Sequence, residues 1–227
     1  MARQLYELTG ADPTRRFSPF CWRARMALAH KGLEAACVPW RFTETDRLAF
    51  AHHDKVPVLV DGENTVPESW DIAVYLDRAY PDRPSLLGAA AAEIRFIVAW
   101  TDAVVQAGLV RLIVSDIVPL LDPVAREYFI KSREARFGKP LAEVTANREA
   151  RLPEFRALLQ PLRLTLRAQP FLGGAGPNYA DYAVFGAFQW ARVVSPLVLL
   201  EPDDPVRTWF ETLLDMYGGL ARAVPAR

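Results

Sequence analysis

The sequence predicts an α/β N-terminal domain followed by an all-helical C-terminal domain. Three observations carry this prediction. Short strand-like segments alternate with helices up to Tyr80, a proline-containing polar stretch follows at Pro81-Asp82-Arg83-Pro84-Ser85, and after it the chain holds only long helical runs. With 227 residues, 51% of them apolar, the chain can bury a sizeable core, and we take it as two domains: 1–81, a linker at 82–89, and 90–227.

In the first domain, Arg3 to Leu8 sets Leu5 and Tyr6 against Gln4 and Glu7, which reads as a strand ending at Thr9-Gly10. Ser18-Pro19 then has the form of a helix start, with a hydroxyl at the N-cap and proline in the first turn, and the helix runs through Trp22, Met26 and Ala29 to a stop at Gly32. Ala35–Val38 is a second strand. After a longer irregular piece, Val56–Val60 is a third, turned at Asp61-Gly62 and answered by Thr65-Val66 as a hairpin. A helix from Ser69 to Tyr80 closes the region. Strand, helix, strand, irregular piece, hairpin, helix is the order of a thioredoxin-like domain.

The second domain opens with a long helix, Ala90 to Leu120. Its apolar stripe comprises Ile94, Ile97, Thr101, Val105, Gly108 and Leu112. Further helices are predicted at Val124–Phe137, Leu141–Ala168, Tyr179–Val194 and Pro205–Tyr217.

Bulk properties narrow the function. Lys plus Arg and Asp plus Glu balance at 27 each, so no net field would hold nucleic acid or an anionic membrane. The N-terminus lacks the apolar core of a signal peptide, and no stretch reaches about 18 uninterrupted apolar residues. A cytoplasmic protein is expected. Cys21 and Cys37 are too few for a disulfide framework or a structural zinc site, so no metal is expected.

Three turns carry chemistry. Ser18-Pro19-Phe20-Cys21-Trp22 opens the first helix, where unpaired amides and the helix dipole stabilise an anion such as a thiolate, and the serine can add a donor. Ser18 can equally be a plain N-cap. Val56-Pro57 puts a proline at the entry of an otherwise central strand, which suggests a cis bond exposing the Val56 backbone to a peptide-like ligand; a trans proline at an edge is the alternative. Glu68-Ser69, at the junction of hairpin and helix, offers an anion to an amine and a hydroxyl with a helix N-terminus to a carboxylate. A simple cap would look the same.

These turns, in this order and ahead of a helical domain, resemble the glutathione transferase family over nearly the whole chain. The resemblance implies a glutathione transferase fold in which Ser18 is catalytic, supporting the glutathione sulfur. Val56, with Pro57, would pair with the tripeptide backbone, and Glu68 with Ser69 would hold its γ-glutamyl end. Lys55, chosen over His52 and His53, would meet the glycine carboxylate, and Phe20 would complete the glutathione-binding set. Asn178-Tyr179-Ala180-Asp181 matches the family's capping box, with asparagine at the cap. The runs Ser18–Gly32, Trp40–Glu44 and Val56–Asp61 are similar to the bacterial β-etherase-like branch. Glutathione as co-substrate, a small apolar or aromatic electrophile, a role in detoxification and a homodimer follow as expectations. Two other readings remain: a non-catalytic binding or assembly module, and a glutathione-dependent thiol reductase using Cys21.

Overall fold

The computed structural model describes residues 3–227. Four strands form one mixed sheet in the order β2-β1-β3-β4. β1 (Gln4–Leu8) runs parallel to β2 (Ala36–Trp40), a pairing that requires a crossover, and α1 (Pro19–His30) supplies it. β3 (Val58–Asp61) lies antiparallel to β1 with Leu5 opposite Leu59, and β4 (Asn64–Pro67) forms the hairpin with β3, turning through Gly62 at φ +63°. α2 (Ser69–Ala79) follows. This is the thioredoxin-like order the sequence predicts.

Several boundaries differ for physical reasons. β3 begins at Val58 because the chain turns through a cis Val56–Pro57 bond. The irregular piece contains a 3₁₀ helix, Thr45–Ala51. Glu7, a polar residue of the alternation read in this strand, is buried. Arg25 at 3.1 Å and Arg16 at 3.6 Å compensate its charge.

The helical domain begins with a near-continuous rod made of α3 (Ala91–Trp100), a π-helical segment (Thr101–Gln106), α4 (Ala107–Ile117) and a 3₁₀ turn (Val118–Leu120). By length and mean hydropathy, 1.7 in one window, Gly88–Leu120 is apolar enough to cross a membrane, although charged residues such as Arg95 and Asp102 interrupt it. Part of that apolarity serves the domain core, because Ile94, Val98, Val105, Leu109 and Ile113 are all buried. α5 (Pro123–Phe137) matches the prediction closely. The single helix expected over Leu141–Ala168 is broken into α6 (Leu141–Val144), a 3₁₀ turn, α7 (Leu152–Leu158) and α8 (Gln160–Ala168). Asn147 adopts φ +52°, and Pro153 and Pro161 lack the N–H that a continuous helix would need, so each starts a new segment instead. α9 (Tyr179–Val194) is buried along almost its whole length, and α10 (Pro205–Gly219) leaves helical geometry from Met216.

The two sets of elements meet where α1 packs on α9. Gly186 permits this approach, since a Cβ there would lie 2.4 Å from the Pro19 carbonyl oxygen. Arg23, fully buried on α1, donates to the Ala183 carbonyl of α9 at 3.2 Å and to Asp102 of the π segment at 2.5 Å. At the other end of α1, His30 pairs with the Tyr182 hydroxyl at 2.7 Å, and Tyr182 with Tyr217 at 2.5 Å.

α9 is started by the expected capping box. Asn178 Oδ1 accepts from the Ala180 N–H at 2.9 Å, and Asp181 accepts back from the Asn178 N–H at 3.0 Å. Asp181 also accepts from the Leu172 and Gly173 amides and from the Trp209 indole, so its carboxylate takes four N–H bonds. Burial pushes its pKa up while these donors pull it down. Asp181→Asn would place an NH₂ against donors, so it should lower unfolding free energy by about 3 kcal/mol or more. Chemical denaturation showing a loss below about 1 kcal/mol would contradict this account of the cap.

His30 gives a pH signature. Burial, its largest influence, pushes the imidazole pKa down, so the folded state holds fewer protons than the unfolded chain below about pH 6.5. Stability therefore rises with pH through that range and is lost on acidification. Thermal melts of the native protein and of His30→Gln between about pH 5 and 7.5 should show the slope shrinking in the variant.

Candidate functional site

Ser18 sits in extended geometry (φ −64°, ψ 127°) at the N-cap of α1, with Pro19 in the first turn. Its Oγ accepts from the Cys21 N–H at 3.4 Å, which leaves the hydroxyl proton free to be donated. The residue is 4% exposed and lines a cavity of about 510 Å³ at the seam between sheet and helices. The Phe20 amide, which has no partner among the described residues, and the dipole of a 12-residue helix make this corner attractive to an anion.

Phe17 and Phe20 of the first domain flank Ser18 in the cavity wall. Opposite them stand Val110, Val114 and Ile117 from the rod, Tyr128 and Phe129 from α5, and Trp190 from α9. The π-helical segment brings Asp102 and Gln106 to the same cavity, and Gln106 donates to Asp102 at 2.5 Å. π-helical turns often occur at functional sites.

Cys21 lies one turn from Ser18 but is 1% exposed and does not line the cavity. Burial first, then the negative charge of Glu7, pushes its thiol up to about 12. It is a poor source of thiolate at neutral pH. Cys37, half-buried in β2, is likewise pushed up to about 12, mainly by burial. Among the described residues no group of three His, Cys, Asp or Glu side chains is placed to hold a metal.

The predicted cis Val56–Pro57 bond is present. Val56 lines the cavity, and neither its N–H nor its C=O has a partner among the described residues, so both stand ready for a ligand's backbone. The Pro57 carbonyl accepts from the Glu68 N–H at 3.2 Å, which ties this turn to the next. Glu68 holds φ +64°, ψ 132°, a region costing a non-glycine residue about 1–3 kcal/mol, and such strain clusters at functional turns. Its exposed carboxylate pairs with His53 Nε2 at 3.1 Å. Ser69, the first residue of α2, is buried, and its carbonyl accepts from the Tyr179 hydroxyl at 2.6 Å, anchoring the turn to α9.

Of the residues singled out from the sequence, Ser18, Phe20, Lys55 and Val56 share the cavity wall. Pro57, Glu68 and Ser69 lie outside that wall, linked to it through the Pro57–Glu68 bond. Lys55 is at the rim, well exposed, with Nζ 3.9 Å from Asp54. Asp102, Gln106, Tyr128 and Arg133 escaped the sequence reading. Periodicity marks which helical residues are apolar, but it does not say which polar ones a neighbouring domain will enclose.

Two family models match: glutathione S-transferase, N-terminal domain, over residues 17–79, and glutathione S-transferase, C-terminal domain, over residues 92–197. The glutathione S-transferase-like protein ustS of Aspergillus flavus is 30% identical over 138 residues, 55% of this chain and 50% of that protein, so the match spans half that relative's length. Glutathione transferase GSTFuA3 from Phanerochaete chrysosporium shares the fold with TM-score 0.84 at 22% identity, covering 94% of this chain and 96% of that one. The glutathione S-transferase CsGST63524 of Ceriporiopsis subvermispora, solved in complex with glutathione, does so with TM-score 0.80 at 22% identity and 99% of both chains. With both models covering well over half of the sequence and a fold that matches throughout, this chain belongs to the glutathione S-transferase family.

Proposed function

We propose that the protein is a glutathione transferase in which Ser18 donates a hydrogen bond to the thiolate of bound glutathione, which attacks an aromatic or apolar electrophile. The observation that carries this reading is the nearly buried Ser18 hydroxyl at the positive end of α1, in the wall of a cavity whose far side is apolar and aromatic. Val56 offers both backbone groups to the tripeptide. Glu68 and Ser69 suit its α-amino acid end, Lys55 its glycine carboxylate, and Phe20 one side of the pocket. The sulfur forms a C–S bond to the electrophilic carbon while a halide or an aryl oxide leaves, so aryl ether cleavage, as in the β-etherase-like branch, belongs to the same chemistry.

The buried, high-pKa thiol of Cys21 favours this reading over a thiol reductase. A hydrogen bond to a charged acceptor is worth about 1.5 to 3 kcal/mol, so Ser18→Ala should raise the bound thiol's pKa by about one to two. Conjugation at neutral pH should fall about ten- to a hundredfold and recover in part at high pH, with glutathione affinity changing much less. Ultraviolet titration of the bound thiolate and rates with an aryl halide and an aryl ether measure this. If Ser18→Ala changes neither quantity while Cys21→Ser abolishes turnover, the chemistry belongs to Cys21. Glutathione at about a hundred times its dissociation constant should add about 2.7 kcal/mol of stability, and no thermal shift at millimolar glutathione would remove the proposal's basis.

A homodimer completes the proposal. Phe96 on α3 is 73% exposed and Phe50 of the 3₁₀ helix 47%, and much of the apolar rod remains uncovered within one chain. Light scattering should give twice the 25.5 kDa of a single chain. A monomer at micromolar concentration would refute the dimer.

A further inference from the structure

The charges of the cavity are not balanced. Asp54 and Lys55 face each other at the rim, 3.9 Å apart, and Asp102 is held by Arg23 at 2.5 Å and by Gln106. The remaining charged groups in the wall are Arg133 and Arg136, both on α5. Among the described residues neither has a carboxylate within 4 Å. Arg133 donates only to the neutral Ser132 hydroxyl, at 2.9 Å, leaving most of its five N–H groups unused.

Arg133 is also held in place. Its guanidinium carbon stands 4.8 Å from the Phe129 ring centre and 5.4 Å from that of Phe42. Such stacking restrains the planar fork, so less side-chain entropy is lost when it binds. Spaced three residues apart, Arg133 and Arg136 are neighbours on one helix face and repel each other. Burial, the largest influence, pushes the Arg133 pKa down; Tyr128 opposes that fall and the Arg136 charge adds to it. An anion placed there would offset both effects.

We propose that this cavity selects an aromatic electrophile carrying a carboxylate, with Arg133 binding the acid through its N–H fork, Arg136 adding charge, and the aromatic ring lying against the apolar wall of the rod. The inference rests on the transferase reading and names its second substrate class. A planar carboxylate matches the guanidinium geometry bidentately, and a cavity of about 510 Å³ accommodates a substituted benzoate beside the tripeptide's sulfur. In the step itself, the glutathione sulfur bonds to the ring carbon and the leaving group departs with its electron pair. The carboxylate is unchanged.

The test pairs 4-chloro-3,5-dinitrobenzoate with its methyl ester, which differ in charge and share the reacting carbon. The native protein should show the lower KM for the acid, although the ester's stronger electron withdrawal makes its ring carbon intrinsically more reactive. Arg133→Gln should lower the acid-to-ester ratio of kcat/KM about tenfold or more, through the KM of the acid, with Arg133→Lys intermediate and Arg136→Gln lowering it about two- to threefold. The KM of glutathione, read in the same assays, separates this site from the tripeptide's own carboxylates. Binding is measured independently with unreactive 3,5-dinitrobenzoate and its methyl ester by calorimetry. Tighter binding of the acid that depends on Arg133, without turnover of either electrophile, would leave the anion site standing and sink the transferase reading. Turnover with a ratio unmoved by Arg133→Gln, an equal fall for acid and ester, or tighter native binding of unreactive ester than of acid would overturn the anion site.

Discussion

The site depends on the contact between α1 and α9. α1 has two tasks that point in different directions, crossing over between parallel strands and bringing its N-terminus to the cavity wall. Packing against α9 settles both. The absence of a side chain at Gly186 brings the helices together, and the buried Arg23 bridges α1 to the Ala183 carbonyl and to the π-helical segment. A buried guanidinium without those partners would be strongly destabilising, so the arrangement admits little sliding. Because Ser18 is the cap of α1 and Asp102 lies on the cavity wall, the same contact sets the width of the pocket in which they stand.

Electrostatics then separates two residues that look alike in sequence. Ser18 and Cys21 are one helical turn apart, and both could serve a nucleophilic mechanism. The helix end and the cavity favour an anion at Ser18. Cys21, one turn in, lies among apolar side chains and within reach of the charge on Glu7, and its thiol is pushed up to about 12. Of the two, Cys21 is therefore the poorer source of an anion at neutral pH.

Two turns beside the cavity are held by unusual local geometry. The cis bond before Pro57 leaves Val56 with unpaired N–H and C=O groups, and Glu68 is held at positive φ. The Pro57–Glu68 hydrogen bond joins them, and the Tyr179 hydroxyl on the Ser69 carbonyl fastens the pair to α9. Asp181, with its four N–H donors, secures the start of that helix. The second domain thus positions groups that all belong to the first.

Local signals determined much of this protein. Ser18-Pro19, Asp61-Gly62 and Asn178 to Asp181 each specify a cap or a turn through the chemistry of a few adjacent residues, and all appear where the sequence placed them, while Val56-Pro57 marked a special bond whose cis form the structure decided. The order of strands and helices, and with it the resemblance to a family, follows from those signals. Tertiary structure alone decided the rest. It buried Glu7 against two arginines, inserted a π-helical turn at Thr101, and set Arg133 over two rings beside an unpaired Arg136. These outcomes depend on which surfaces meet across long sequence separations, and a charged residue on a helix carries no local mark of whether water, a carboxylate or a cavity will face it.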